Sequence, residues 1–79
     1  MARLTQYKLS SAEWEYLIDQ WVVGRNGERD RAILKRKMIA GVTFNELTRE
    51  FDLSHQRIEQ IVYGRFDSLV PHIEMLGKR

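Results

Sequence analysis

The sequence predicts an all-α fold, a four-helix domain in which residues 1–79 form one unit. Three observations carry that expectation. Hydroxyl residues stand three positions before a glutamate at Ser10/Glu13 and Thr43/Glu46, the spacing of a capping box, in which each side chain satisfies a backbone N–H of the other residue. Apolar residues recur at helical spacing in four separate segments. Turn-forming residues, Asn26-Gly27, Gly41 and Asp52, fall between those segments.

Residues 1–9 read as a flexible N-terminus. A first helix is expected over 10–23, capped by Ser10 and ending before Gly24, with Trp14, Leu17, Ile18, Trp21 and Val22 as its apolar stripe. Two tryptophans on one stripe are a large burial commitment. The hydrophobic core is their favoured destination, although Trp14 and Trp21 are also candidates for anchoring a partner. After the Arg25-Asn26-Gly27 turn, a scaffold helix is expected over 28–40. Its acids, Glu28 and Asp30, lead and its cations, Lys35, Arg36 and Lys37, follow, which complements the helix dipole. Ile33, Leu34, Met38 and Ile39 supply its buried face, and Gly41 ends it.

The span 43–69 reads as two helices joined by a tight turn. Phe44, Leu47 and Phe51 share one face of the first. Asp52 tolerates a left-handed conformation, Leu53 can plug the gap between the helices, and Ser54 is a good N-cap for the second. In that second helix Ile58, Ile61, Val62, Phe66 and Leu69 face inward. Gln56, Gln60, Tyr63 and Asp67 lie opposite, with Arg57 and Glu59 on the flanks and His55 in the first turn. This arrangement looks like a helix-turn-helix. A helix of that width fits the major groove of duplex DNA, where Gln can read an adenine edge and Arg a guanine edge. The plainer explanation of the polar stripe is a solvated helix face. Pro71 disfavours a helical Val70, so a break is expected over Ser68 to Pro71. At most a short fifth helix through Ile73, Met75 and Leu76 would follow, the span 70–79 otherwise forming a tail.

The stretch GERDRAILKRKMIAGVTFNELTREFDLSHQRIEQIV is similar to the fourth conserved, promoter-reading region of the major bacterial sigma-factor family. Glu28-Arg29, Ile33-Leu34, Gly41, Thr43, Glu46-Leu47, Ser54, Arg57-Ile58 and Gln60-Ile61 carry the resemblance, which covers about Gly27 to Leu69. It implies a small stand-alone sigma-like domain that binds the upstream promoter element of double-stranded DNA and a flap of RNA polymerase. His55-Gln56 and Glu59 depart from the arginine-rich pattern usual at those positions, so the usual promoter sequence is not the expected target. Gly64 replaces a helix-forming residue at a cost of about 1 kcal/mol relative to Ala, and the helix is expected to weaken or end near it.

Composition excludes several classes. There is no cysteine, so neither a disulfide framework nor a thiolate metal site exists, and a reducing cytoplasm suits the chain. No stretch approaches the roughly 20 apolar residues needed to cross a bilayer, and no secretion signal is recognised. His55 and His72 lack partners for a metal, the serines are explained by caps and turns, and no Gly-rich phosphate cradle is present, so no cofactor and no catalytic activity are expected. The formal net charge is only +2, but Arg25 to Lys37 carries six cations against Glu28 and Asp30. Arg29, Lys35, Arg36 and Lys37 are therefore candidate phosphate contacts, and a self-paired surface helix is the alternative.

Two functions follow. The first is a sequence-specific DNA-binding transcription regulator in which Thr43, Ser54, His55, Gln56, Arg57, Glu59, Gln60 and Tyr63 form the contact surface. The second is a protein-interaction module that keeps this fold and binds RNA polymerase, a sigma factor or another regulator.

Overall fold

A computed structural model describes residues 8–76, so most of the expected flexible N-terminus and the last three residues of the tail lie outside the described residues. All regular structure among the described residues is helical: α1 (Ser11–Trp21), α2 (Gly27–Met38), α3 (Phe44–Phe51) and α4 (His55–Met75). α2 and α4 pack on each other and on both remaining helices, whereas the backbones of α1 and α3 do not approach each other closely. The central pair is thus flanked by α1 on one side and α3 on the other.

The local signals act where the sequence places them. Ser10 Oγ accepts the Glu13 N–H at 3.2 Å and Glu13 Oε1 accepts the Ser10 N–H at 2.9 Å, so the first turn of α1 has its orphan donors satisfied. Thr43 and Glu46 form the same reciprocal pair at 3.1 and 3.2 Å. Asp52 takes the left-handed conformation, with φ 54° and ψ 47°, and Ser54 Oγ accepts the Arg57 N–H at 3.1 Å. The chain therefore stops α3 and restarts in α4 within three residues. α2 begins one residue earlier than expected, at Gly27, and its helical hydrogen-bond pattern ends at Met38 rather than Ala40. Ala40 and Val42 N–H groups still donate back to Lys35 and Arg36, with Gly41 at φ 74° making that return possible.

Two expectations about α4 are corrected. The helix neither weakens at Gly64 nor breaks between Ser68 and Pro71, and no separate fifth helix exists among the described residues; one helix runs 21 residues from His55 to Met75. Leu69 and Ile73 are fully buried on either side of Pro71. Burying two such side chains contributes about 1.5 to 3 kcal/mol each, which offsets the roughly 3 kcal/mol that an internal proline costs. Pro71 and Asp67, whose carbonyl loses its i+4 donor, both lie on the exposed side, where water can take the donor's place.

The core joins Trp14, Leu17, Ile18 and Val22 of the first segment to Ile33, Leu34 and Leu47, and to Ile58, Ile61, Val62, Phe66, Leu69 and Ile73 of α4. Trp14 is 4% exposed and packs near Phe66 with ring centroids 6.2 Å apart. Trp21 departs from the favoured core placement: it is 45% exposed and stacks on the His72 ring at 3.8 Å and 9°. It sits in the last turn of α1, where Val22 takes the buried place beyond it.

Candidate nucleic-acid interface

The outer face of α4 and the two flanks that hold it form the candidate site. Ile58, Ile61, Val62 and Phe66 are buried, and the 3.6-residue period then turns His55, Gln56, Arg57 and Gln60 outward. All four are exposed, while Glu59 and Tyr63 are half-buried. Gly64 and Asp67 continue the exposed strip. This face carries three acceptor-donor side chains in its first half and an acid, Asp67, in its second.

One flank is aromatic. The Phe44 ring lies 5.7 Å from the His55 ring and 5.9 Å from the Tyr63 ring, and Lys37 Nζ sits 4.4 Å from its centroid while donating to the Val42 carbonyl at 3.2 Å. His55 Nε2 is also 3.7 Å from Glu59 Oε1. Lys37, His55 and Tyr63 are thereby gathered around Phe44, with Glu59 beside His55. Thr43, immediately before Phe44, and Ser54 both spend an acceptor lone pair on a helix cap, which leaves each hydroxyl O–H as a donor.

The opposite flank is charged, and its acid is paired within the chain. Asp30 is 5% exposed. Its carboxylate accepts from Arg65 Nε at 2.9 Å and from Arg29 Nε at 3.2 Å. Arg65 also donates to the Val23 and Arg25 carbonyls at 3.0 and 3.1 Å, tying the middle of α4 to the α1–α2 loop. A buried carboxylate needs such partners, because an isolated buried charge is strongly unfavourable. Arg65 did not emerge as a functional residue from the sequence. The available signal was a charge on each apolar stripe: Asp30 lies at i, i+3 and i+4 with Ile33 and Leu34, and Arg65 lies between Ile61 and Leu69 at fourfold spacing.

The candidate phosphate contacts on α2 all have intramolecular partners. Arg29 pairs with Asp30, Lys35 with Asp19 at 2.7 Å, and Arg36 with Glu50 through two bonds, one of them 3.0 Å. Lys37 is on the Val42 carbonyl and the Phe44 face. The Arg36–Glu50 contact raises the arginine's affinity for its proton and, through the same hydrogen bond, holds the Glu50 carboxyl below its usual range. Arg57 and Arg49 are exposed and have no ion-pair partner among the described residues. The cationic character available to a ligand therefore lies on α3 and α4 rather than at the end of α2.

Of the two candidate partner anchors, Trp14 is buried and Trp21 offers an exposed ring. Met75, 80% exposed, and Leu76 lie beyond His72 at the end of α4, with Val23 exposed after α1. No helix among the described residues is long and apolar enough to cross a membrane. No family model, curated protein or solved structure matches this chain.

Proposed function

We propose that this domain binds double-stranded DNA with the outer face of α4 in the major groove, as a cytoplasmic bacterial transcription regulator resembling the promoter-reading region of sigma factors. The observation that carries the reading is the α3, three-residue turn, α4 arrangement, in which an N-capped helix projects Gln56, Arg57 and Gln60 away from the core. Gln60, central on that face, reads an adenine edge, and Arg57 contacts a guanine edge or a phosphate. Thr43 and Ser54 donate hydroxyl protons to backbone phosphates. His55 and Tyr63, both against Phe44, and Glu59 beside His55 shape the edge of the face. The domain positions nucleic acid or polymerase and performs no chemistry of its own.

Backbone amide shifts on titration with random duplex test the reading at low and moderate salt. Shifts at Thr43 and from Ser54 to Tyr63 that weaken steeply with salt are expected. For a selected site, Gln60→Ala lowers affinity by about 1 to 3 kcal/mol relative to random DNA. An equal loss on both DNAs defeats the base-reading role.

A second reading is a protein-interaction module that binds RNA polymerase, a sigma factor or another regulator. The observation favouring it is the pairing of Lys35, Arg36 and Arg29 with the chain's own acids, together with Glu59 and Asp67 on the α4 face. It expects no amide shifts with duplex even at low salt, and partner-induced shifts at Trp21, Met75 and Leu76.

A further inference from the structure

A concavity of about 260 Å³ opens beside α4, lined by Asp30, Arg57, Gln60, Ile61, Gly64 and Arg65. From this geometry we infer that the concavity is a phosphate seat. In the reading above, on which this inference rests, it receives one backbone phosphodiester of the duplex whose bases Gln60 contacts. Three features of the site support it.

The first is charge. Asp30 is paired with Arg29 and Arg65, and Arg57 also lines the concavity, so the lining and its partner carry an excess of positive charge although a carboxylate stands among them. The second is donor supply. A guanidinium has five N–H groups, and Arg65 uses three of its nitrogens on Asp30, Val23 and Arg25 with one bond each. Two N–H groups remain on a guanidinium whose position those bonds have already set. Arg57 has no ion-pair partner among the described residues, and Gln60 adds an amide. A fixed guanidinium beside a free one suits a tetrahedral anion, because little ordering remains to be done on binding.

The third is space. A Cβ built on Gly64 meets nothing within 4 Å, so this glycine is not demanded by packing or by backbone conformation, and its missing side chain leaves the floor of the concavity open. The volume is several times the roughly 30 Å³ share of one water, enough for a phosphate group and part of its hydration. Gly64 weakens α4 by about 1 kcal/mol relative to Ala, and access for a ligand is a reason for a glycine there. Gln60 sits on the border between seat and reading face, so a phosphate held by Arg57 and Arg65 sets the register of α4 in the groove.

Gly64→Glu and Gly64→Gln test this without disturbing the fold, since both side chains enter open space and both residues favour helix over glycine. The probe is random-sequence duplex, followed by fluorescence anisotropy over a salt series. Against wild type, the carboxylate should weaken binding roughly fivefold to tenfold and flatten the log-log salt slope by about 0.9, the signature of one lost phosphate contact, while the uncharged glutamine, which only occupies the space, should weaken it less. Wild-type affinity and wild-type slope in both variants overturn the seat while leaving DNA binding in place. If the wild-type domain binds no duplex, the DNA reading fails separately, and inorganic phosphate becomes the probe. Shifts of the Arg57 side-chain N–H and Arg65 Nη–H signals that disappear in Gly64→Glu then assign the seat to a free phosphate-bearing ligand. Their absence removes it altogether.

Discussion

Two ion pairs brace the helices around the α4 face, and they are unequal. Asp30–Arg65 joins α2 to α4 with side chains 7% and 25% exposed, whereas Arg36–Glu50 joins α2 to α3 with side chains 45% and 35% exposed. Both are close arginine–carboxylate contacts, and Arg36 makes the more regular two-pronged one. Geometry alone would rank the second pair higher. Burial reverses the order, because water screens and competes for the exposed pair, while loss of either partner of the buried pair strands a charge or carbonyls without donors. Placing α4 is therefore the task of Asp30 and Arg65, and Arg36–Glu50 adjusts α3 against α2.

The sharpest way to break this comparison is Arg65→Ala, which leaves Asp30 with Arg29 alone and removes donors from Val23 and Arg25. A loss of about 3 kcal/mol is expected in chemical denaturation. A loss no larger than that of Glu50→Gln would show that burial does not set the ranking. Phe44→Ala comes next, at about 2 kcal/mol, because the ring is half-buried and a fully buried phenylalanine costs about 3 to 5. It should also release the His55 and Tyr63 rings, visible as a collapse of their ring-current shifts, while the backbone amide signals of Arg57 and Gln60 stay in place. Arg65→Lys should lose about 1 to 2 kcal/mol, since an ammonium retains the charge opposite Asp30 but cannot span that carboxylate and two carbonyls from one planar group.

The smallest effect is expected from Glu50→Gln, and pH gives its sign. The Arg36 hydrogen bond lowers the Glu50 carboxyl in the folded state, so the folded chain holds that proton less tightly than the unfolded chain. The pair's contribution is present above the ordinary carboxylate range and is lost as pH falls through the folded value. Thermal melts of wild type and Glu50→Gln should differ slightly near neutrality and converge in acid. A difference that grew in acid would contradict the assignment.

Much of the architecture was readable from neighbours in sequence. Ser10 with Glu13 and Thr43 with Glu46 mark helix starts because cap and partner are three residues apart, and Asp52 and Ser54 mark the turn by their own backbone and side-chain preferences. The helical period, with Ile58, Ile61 and Val62 inward, turns Gln56 and Gln60 outward and puts Arg57 on the flank. Charge was read less well. Lys35 finds Asp19 and Arg36 finds Glu50 across 16 and 14 residues of chain, and Arg65 finds Asp30 across 35.

What the sequence by itself determined is where the four helices begin and most of the face each buries, because capping, propensity and periodicity act within about four residues. Only the tertiary structure decided which cations are consumed by the chain's own acids, that Trp21 stays at the surface on His72, and that α4 continues through Gly64 and Pro71. Those outcomes depend on which residues distant in sequence share the core. Burial of Leu69 and Ile73 outweighs a local proline penalty, and desolvation of Asp30 selects Arg65 as its partner; neither energy exists until the helices have packed.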